Sequence, residues 1–266
     1  MVGTFHLQKW YLDGVSDDGR ALICYVARLS WLGATVEYAS YIYLRAPNDT
    51  HSESRFRDVA EPTEEGDVIR WEDASLGVSG QWTRVAQPLT AVLHETKKGR
   101  VMWNCLQPAS RCSIRLGDEK PMEGWGYVEC LDMTVPPWDM GFHELRWGRF
   151  AHPDAPLVWI DLRGPMNRQW VFDGQTEMKT AAITEERIYL PDSRKTLLLA
   201  DPLVIEDKNK IMEVVRSLIA WLPGIEHITP LQFLRAKETK WRASGKLMAP
   251  GQEIREGWVV YELVTF

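Results

Sequence analysis

Cysteine is scarce: among 266 residues there are four, Cys24, Cys105, Cys112 and Cys130, and no two of them form a C-x-x-C pair. Each falls in a strand-like segment, so they read as reduced core residues of a cytoplasmic protein, with a Cys105–Cys112 hairpin disulfide as the main competing pattern. Basic residues are not in excess, since 31 Lys and Arg against 37 Asp and Glu give a formal charge of −6. Phosphate contacts need clustered cations, so no nucleic-acid partner is expected. Long apolar runs are missing as well. The opening residues MVGTFHLQKWYLDG hold no continuous apolar stretch of the secretory type. The longest run, around Leu197–Ile205, is too short and too interrupted to span a bilayer.

The common catalytic signatures are absent too. His6, His51, His94, His143, His152 and His227 are dispersed, with neither H-E-x-x-H nor H-x-H spacing, so no metal site is expected. There is no G-x-S-x-G, which weakens a hydrolase reading. Gly77-x-x-Gly80 lacks the Lys and the helix of a phosphate-binding loop. No cofactor is expected.

What the chain does have is tryptophan, 13 residues of it. Trp fills wide β-barrel interiors, and it also lines ligand cavities. Period-2 segments bounded by Gly, Pro, Asn or Asp run from end to end. They cover Phe5–Leu12, Arg20–Trp31, Thr35–Arg45, Val68–Glu72, Gly80–Val85, Leu89–Glu95, Arg100–Leu106 and Ser110–Leu116. They continue through Gly124–Met133, Glu144–Phe150, Leu157–Leu162, Gln169–Asp173, Glu177–Thr184, Lys240–Met248 and Gly257–Phe266. Asp18-Gly19, Lys98-Gly99, Asp173-Gly174 and Pro250-Gly251 supply turns between them. So many strands without interleaved helices exclude a parallel α/β sheet and favour barrels or sandwiches.

Two segments break the pattern. Asp207–Leu222 carries Ile211, Val214, Val215, Leu218, Ile219 and Leu222 on one helical face, and Pro223-Gly224 stops it. Ala46–Gly66 is acidic and reads as a long loop, with room for a short helical turn. Gly124-Trp125-x-x-x-Glu129 is echoed by Gly257-Trp258-x-x-x-Glu262. A boundary just before the first copy divides the chain into halves 1–117 and 118–266. If the first and last strands of the second half pair, Glu129 and Glu262 come close together.

The stretches GWGYVECLDMTVPPWDMGFHELRWGRF, APLVWIDLRGP and EGWVVYELVTF, with KWYLDGVSDDGRALICYVARL near the start, resemble the group that joins carotenoid 1,2-hydratases (hydroxyneurosporene synthases), AttH-type proteins and tocopherol-cyclase-like proteins. The resemblance touches both ends and the middle, about half of the chain. It implies an all-β fold of two tandem lipocalin-like antiparallel barrels, here with one amphipathic helix in the second. It also implies a hydrophobic, terpenoid or polyketide-like ligand. Known members include cofactor-free hydratases and cyclases as well as proteins without known activity.

Alternation then nominates residues. Trp125, Tyr127 and Glu129 share one strand face, and Trp159 and Asp161 share another. A carboxyl among tryptophans is desolvated and keeps its proton near neutrality, so it can protonate an alkene, an enol or a carbonyl. Aromatic faces stabilise the positive charge that follows. The candidate catalytic residues are therefore Asp161, Glu129, Glu262 and His143. The candidate ligand contacts are Trp125, Tyr127, Trp159, Trp147, Arg146 and Trp258. Ion pairing is the rival fate: Asp161 with Arg163, and Glu129 and Glu262 with Arg146 or Arg149. The leading expectation is an enzyme that hydrates, isomerises or cyclises an unsaturated hydrophobic molecule. A non-catalytic carrier or sensor of a lipophilic molecule, and a scaffold whose Trp residues only fill core, are the alternatives.

Overall fold

The computed structural model describes residues 5–165, 167–208 and 236–266. Its strands form two curled antiparallel sheets. The first is built from β1 (His6–Ser16), β2 (Ala21–Trp31), β3 (Ala34–Ala46), β4 (Asp49–Phe56), β5 (Thr63–Glu65), β6 (Val68–Asp73), β7 (Val78–Arg84), β8 (Leu89–Thr96), β9 (Gly99–Leu116) and β10 (Met122–Met133). Their order is β4-β3-β2-β1-β10-β9-β7-β6-β5, with β8 also on β9.

A single turn of 3-10 helix, Pro137–Met140, leads to the second sheet. That sheet holds β11 (Glu144–Phe150), β12 (Leu157–Arg163), β13 (Arg168–Asp173), β14 (Thr176–Met178), β15 (Ala182–Ile183), β16 (Arg187–Leu190), β17 (Lys195–Lys208), β18 (Lys237–Met248) and β19 (Arg255–Thr265). Their order, β14-β13-β12-β11-β19-β18-β17-β16-β15, repeats the plan of the first sheet. The architecture is the tandem lipocalin-like pair that the strand pattern and the motifs imply.

Each curled sheet wraps a core of its own. Leu12, Cys24, Trp71 and Trp82 lie in the first, and Phe150, Trp159, Ile188 and Leu197 in the second. A third, larger core lies between the sheets, with Tyr11, Tyr25, Trp103 and Tyr127 meeting Trp147, Val158, Ile160 and Val260. β2 and β12 are therefore buried on both faces over most of their length. Side-chain hydrogen bonds reach across the open seams. Arg55 on β4 donates to Asp73 on β6 at 3.0 Å, and Arg163 on β12 donates to the Ile183 carbonyl on β15 at 2.7 Å.

Several expectations need correction. β10 belongs to the first sheet, paired with β1 and β9, so the chain changes sheets between Met133 and Glu144 and not at 117/118. The expected loop Ala46–Gly66 contains β4 and β5; β4 is an exposed edge strand with polar side chains on both faces, which hides its period. Arg100–Leu106 and Ser110–Leu116 are one strand, β9, whose register with β10 shifts near Pro108, a residue that cannot donate to the ladder. The helix expected over Asp207–Leu222 lies, beyond its first two residues, outside the described residues. The four cysteines are buried and none is in a disulfide. Among the described residues no helix is long and apolar enough to cross a membrane.

Candidate active site between the two sheets

Antiparallel register stacks the inward side chains of β2, β1 and β10 in rows. Ala27, Lys9 and Leu131 form one row; Tyr25, Tyr11 and Glu129 the next; Ile23, Asp13 and Tyr127 a third. The second sheet answers with Ile160, Trp147, Glu262 and Lys240, also in register. Between the two sheets lies a cavity of about 380 Å³. Its wall is mainly apolar and aromatic, with Trp31, Trp103, Trp138, Trp147, Phe142 and Phe266 among its rings. The polar exceptions on the wall include Glu129, Glu262, Glu238 and Lys9.

Glu129 accepts three side-chain hydrogen bonds. Its Oε2 accepts from Trp103 Nε1 at 2.5 Å, from Tyr127 Oη at 2.5 Å and from Trp147 Nε1 at 3.3 Å. One of those donors, Trp147, comes from the second sheet. Burial pushes the Glu129 pKa above its ordinary value, and the nearby charge of Glu262 pushes it further. The Tyr127 and Trp103 hydrogen bonds and the charge of Lys9 oppose that rise without cancelling it. The result is a carboxyl that holds its proton more tightly than a solvated one, facing an apolar cavity. The register shifts between β9 and β10 fall at Tyr127 and immediately before Glu129, the kind of irregularity that re-aims a side chain.

Glu262 faces the same cavity from β19 but is held by an ion pair. Lys240, almost wholly buried, lies 3.3 Å from its Oε2 and is shared with Glu238 and, at 3.7 Å, with Glu206. β10 and β19 do not pair with one another; each is the partner of its own sheet's first strand. The two carboxylates of the sequence echo nevertheless share a cavity.

Tyr127 stands behind Glu129 as its donor, and its phenol is raised well above the usual range by burial, so it stays neutral. Trp147 lines the cavity. The remaining candidates do not. Trp159 is packed in the core of the second sheet, and Asp161, on the same strand face, donates nothing to the cavity; it pairs with Arg163 at 2.7 Å. The opposite face of β12, Ile160 and Leu162, is the one that lines the cavity. Arg146 pairs with Glu144 at 2.6 Å and lies 3.7 Å from Glu185. His143 is exposed and is held by backbone bonds to Arg163 and Phe266. Trp125 and Trp258 lie under Arg111 and Arg242, with the guanidiniums 3.8 and 4.3 Å from the ring centroids.

Sequence reasoning missed Lys9, Tyr25, Trp103 and the aromatic turn at Trp138. It also missed the anchor beneath the site. Asp13 and Arg149 are both fully buried and meet through Oδ1 and Nη2 at 2.6 Å, with Tyr11 donating to Asp13 at 3.0 Å. Burial opposes the charge of Arg149, but the carboxylate of Asp13 more than offsets it and keeps the guanidinium pKa raised.

No family model matches the chain, and no curated protein matches its sequence. Solved structures do match its fold. An AttH-like protein from Nitrosomonas europaea superposes with a TM-score of 0.59 at 11% identity, over 97% of this chain and 92% of that one. Kievitone hydratase from Nectria haematococca gives 0.53 at 11% identity, over 99% and 89%. CghA, solved with Sch210972, gives 0.53 at 9% identity, over 98% and 89%. The chain thus shares the fold of these proteins, two curled antiparallel sheets in tandem.

Proposed function

We propose that the protein is an acid catalyst that hydrates, isomerises or cyclises an unsaturated hydrophobic molecule held between its two sheets, without a cofactor. The observation that carries this reading is Glu129: a carboxyl with a raised pKa on the wall of an aromatic cavity. Its Oε2 is fixed by three donors, which leaves Oε1 to carry the proton and turn it toward a ligand. Transfer of that proton to a double bond forms a new C–H bond and leaves a cation on the neighbouring carbon. The aromatic rings of the wall, Trp103 and Trp147 among them, stabilise that charge. Water attack followed by loss of its proton to the Glu129 carboxylate completes a hydration, and loss of a proton from a neighbouring carbon to that carboxylate completes an isomerisation. Attack by an internal double bond closes a ring and moves the cation, and proton loss to the carboxylate then completes a cyclisation. Confining a flexible ligand in one shape lowers the barrier further by settling its orientation before the chemical step.

The fold likeness to a protein named as a hydratase agrees with this class. The test is turnover of an unsaturated terpenoid or polyketide substrate found by screening. Glu129→Gln keeps the size and the acceptor oxygen but loses the acid, and should lower the rate by about 10²–10⁴-fold with the fold unchanged. Unchanged turnover in that variant would remove Glu129 from the reaction. A chain that binds such ligands and turns over none of them would be a carrier.

A further inference from the structure

Among the described residues, Lys9 is the single basic side chain on the cavity wall. Its cross-strand neighbours on either side are Ala27 and Leu131, both apolar and both on the same wall. Its ammonium rests 4.8 Å from the centre of the Tyr25 ring, a contact that steadies a cation without neutralising it. The carboxyls sharing the cavity are already engaged. Glu129 is held by Trp103, Tyr127 and Trp147, and Glu238 and Glu262 are held by Lys240. When a hydrophobic molecule fills the cavity, it strips water from Lys9. Desolvating an ammonium costs far more than burying the adjoining rings returns, unless the incoming molecule supplies a counter-charge.

We propose that the cavity is built for a hydrophobic molecule that carries one acidic oxygen (a carboxylate, a phenolate or an enolate), and that Lys9 binds that oxygen. This deepens the proposed function by naming the substrate class. It places the polar end of the ligand beside β1 and its unsaturated body against Glu129 and the tryptophans.

Two dyes of nearly equal shape separate the possibilities. 8-Anilinonaphthalene-1-sulfonate is a hydrophobic anion, and N-phenyl-1-naphthylamine is its uncharged counterpart. Both should bind the native protein, and both should be lost in Ala27→Trp, which fills the cavity. Lys9→Met should weaken the anion about tenfold or more, the usual worth of a hydrogen bond to a charged group. It should leave the neutral dye unchanged, and Lys9→Arg should restore the anion. Should Lys9→Met fail to fold, Lys9→Gln provides the same comparison. Equal loss of both dyes, or no loss of the anion, overturns the assignment to Lys9 while leaving the cavity in place. If neither dye binds the native protein, the cavity reading itself fails.

Discussion

Asp13 and Arg149 occupy the same position in the first strand of each sheet, and their side chains meet at 2.6 Å in a pair wholly shielded from solvent. The equivalence follows from register: Asp13 lies opposite Tyr127 and Arg149 opposite Val260, and these two stand at matching places in the Gly-Trp-x-x-x-Glu echo. Two residues earlier, Tyr11 and Trp147 are equivalent in the same way, and their rings pack with centroids 4.8 Å apart. Contacts between equivalent residues mark an approximate two-fold axis between the halves, as in a symmetric dimer. The catalytic candidate Glu129 sits directly beside that axis, opposite Tyr11 on β1.

The pair fixes how the sheets meet, and breaking it from one side leaves a buried charge. Asp13→Ala or Arg149→Met should each cost about 3–5 kcal/mol in urea unfolding. The double variant Asp13→Leu with Arg149→Met should lose much less than the two single losses added together, because it strands no charge. Additive losses would show that the two side chains act independently.

Tryptophan emission should report the cavity selectively. Trp31, Trp103, Trp138 and Trp147 line it, whereas Trp125 and Trp258 lie off its wall under arginines. A hydrophobic polyene should quench emission saturably. Trp103→Phe and Trp147→Phe should each reduce the quenched fraction, and Trp125→Phe and Trp258→Phe should leave it unchanged. Equal effects from all four would place the ligand elsewhere.

Gly148 offers a packing test on the face of β11 turned toward the core of the second sheet, opposite the cavity face of its neighbour Trp147. It lies opposite Trp159 on β12, whose ring folds over it, and a Cβ there would also stand 2.7 Å from the Cβ of Tyr261. Gly148→Ala must move the ring and the strand together, at a cost of about 1–3 kcal/mol of overpacking. Chemical unfolding measures this directly, and a variant as stable as the native protein would show that Trp159 has room to turn.

How far the sequence was legible depends on where each strand lies. Alternation located most of the strands, because turn residues such as Asp18-Gly19 and Asp173-Gly174 punctuate them. It could not choose between strand faces where both are buried. Trp159 and Asp161 looked like a cavity wall, yet their neighbours Ile160 and Leu162 are the wall, since β12 separates two cores. Glu129 could be put on the cavity wall from sequence because a lone carboxyl on an aromatic face is conspicuous in either setting. Lys9 and Asp13 were passed over because polar residues in a first strand look solvated until the second sheet is placed against them. The Arg149 partner is 136 residues away in sequence, and no local pattern announces it.

The pH dependence of Glu129 gives the last test, and its sign is fixed by the direction of the shift. Burial raises its pKa in the folded chain above the ordinary 4.5. Between those two values the folded state binds more protons at this site than the unfolded state, so its contribution to stability falls as pH rises. The contribution is full below 4.5 and is lost as pH passes through the raised folded value. Glu129→Gln cannot titrate. The native protein should therefore lose stability relative to this variant on going from acid toward neutral pH. Trp103→Phe should sharpen the effect, because it removes a hydrogen bond that lowers the Glu129 pKa. Paired urea titrations of the native protein and both variants across this range measure it. A constant difference between native and Glu129→Gln at every pH would mean that the carboxyl titrates as an ordinary solvated one. The same shift governs catalysis: turnover should be greatest where Glu129 is protonated and should fall as pH rises through its folded pKa. A rate that rises with pH over that range would make Glu129 a base or a bystander, and Glu262, on the facing wall, the next residue to replace.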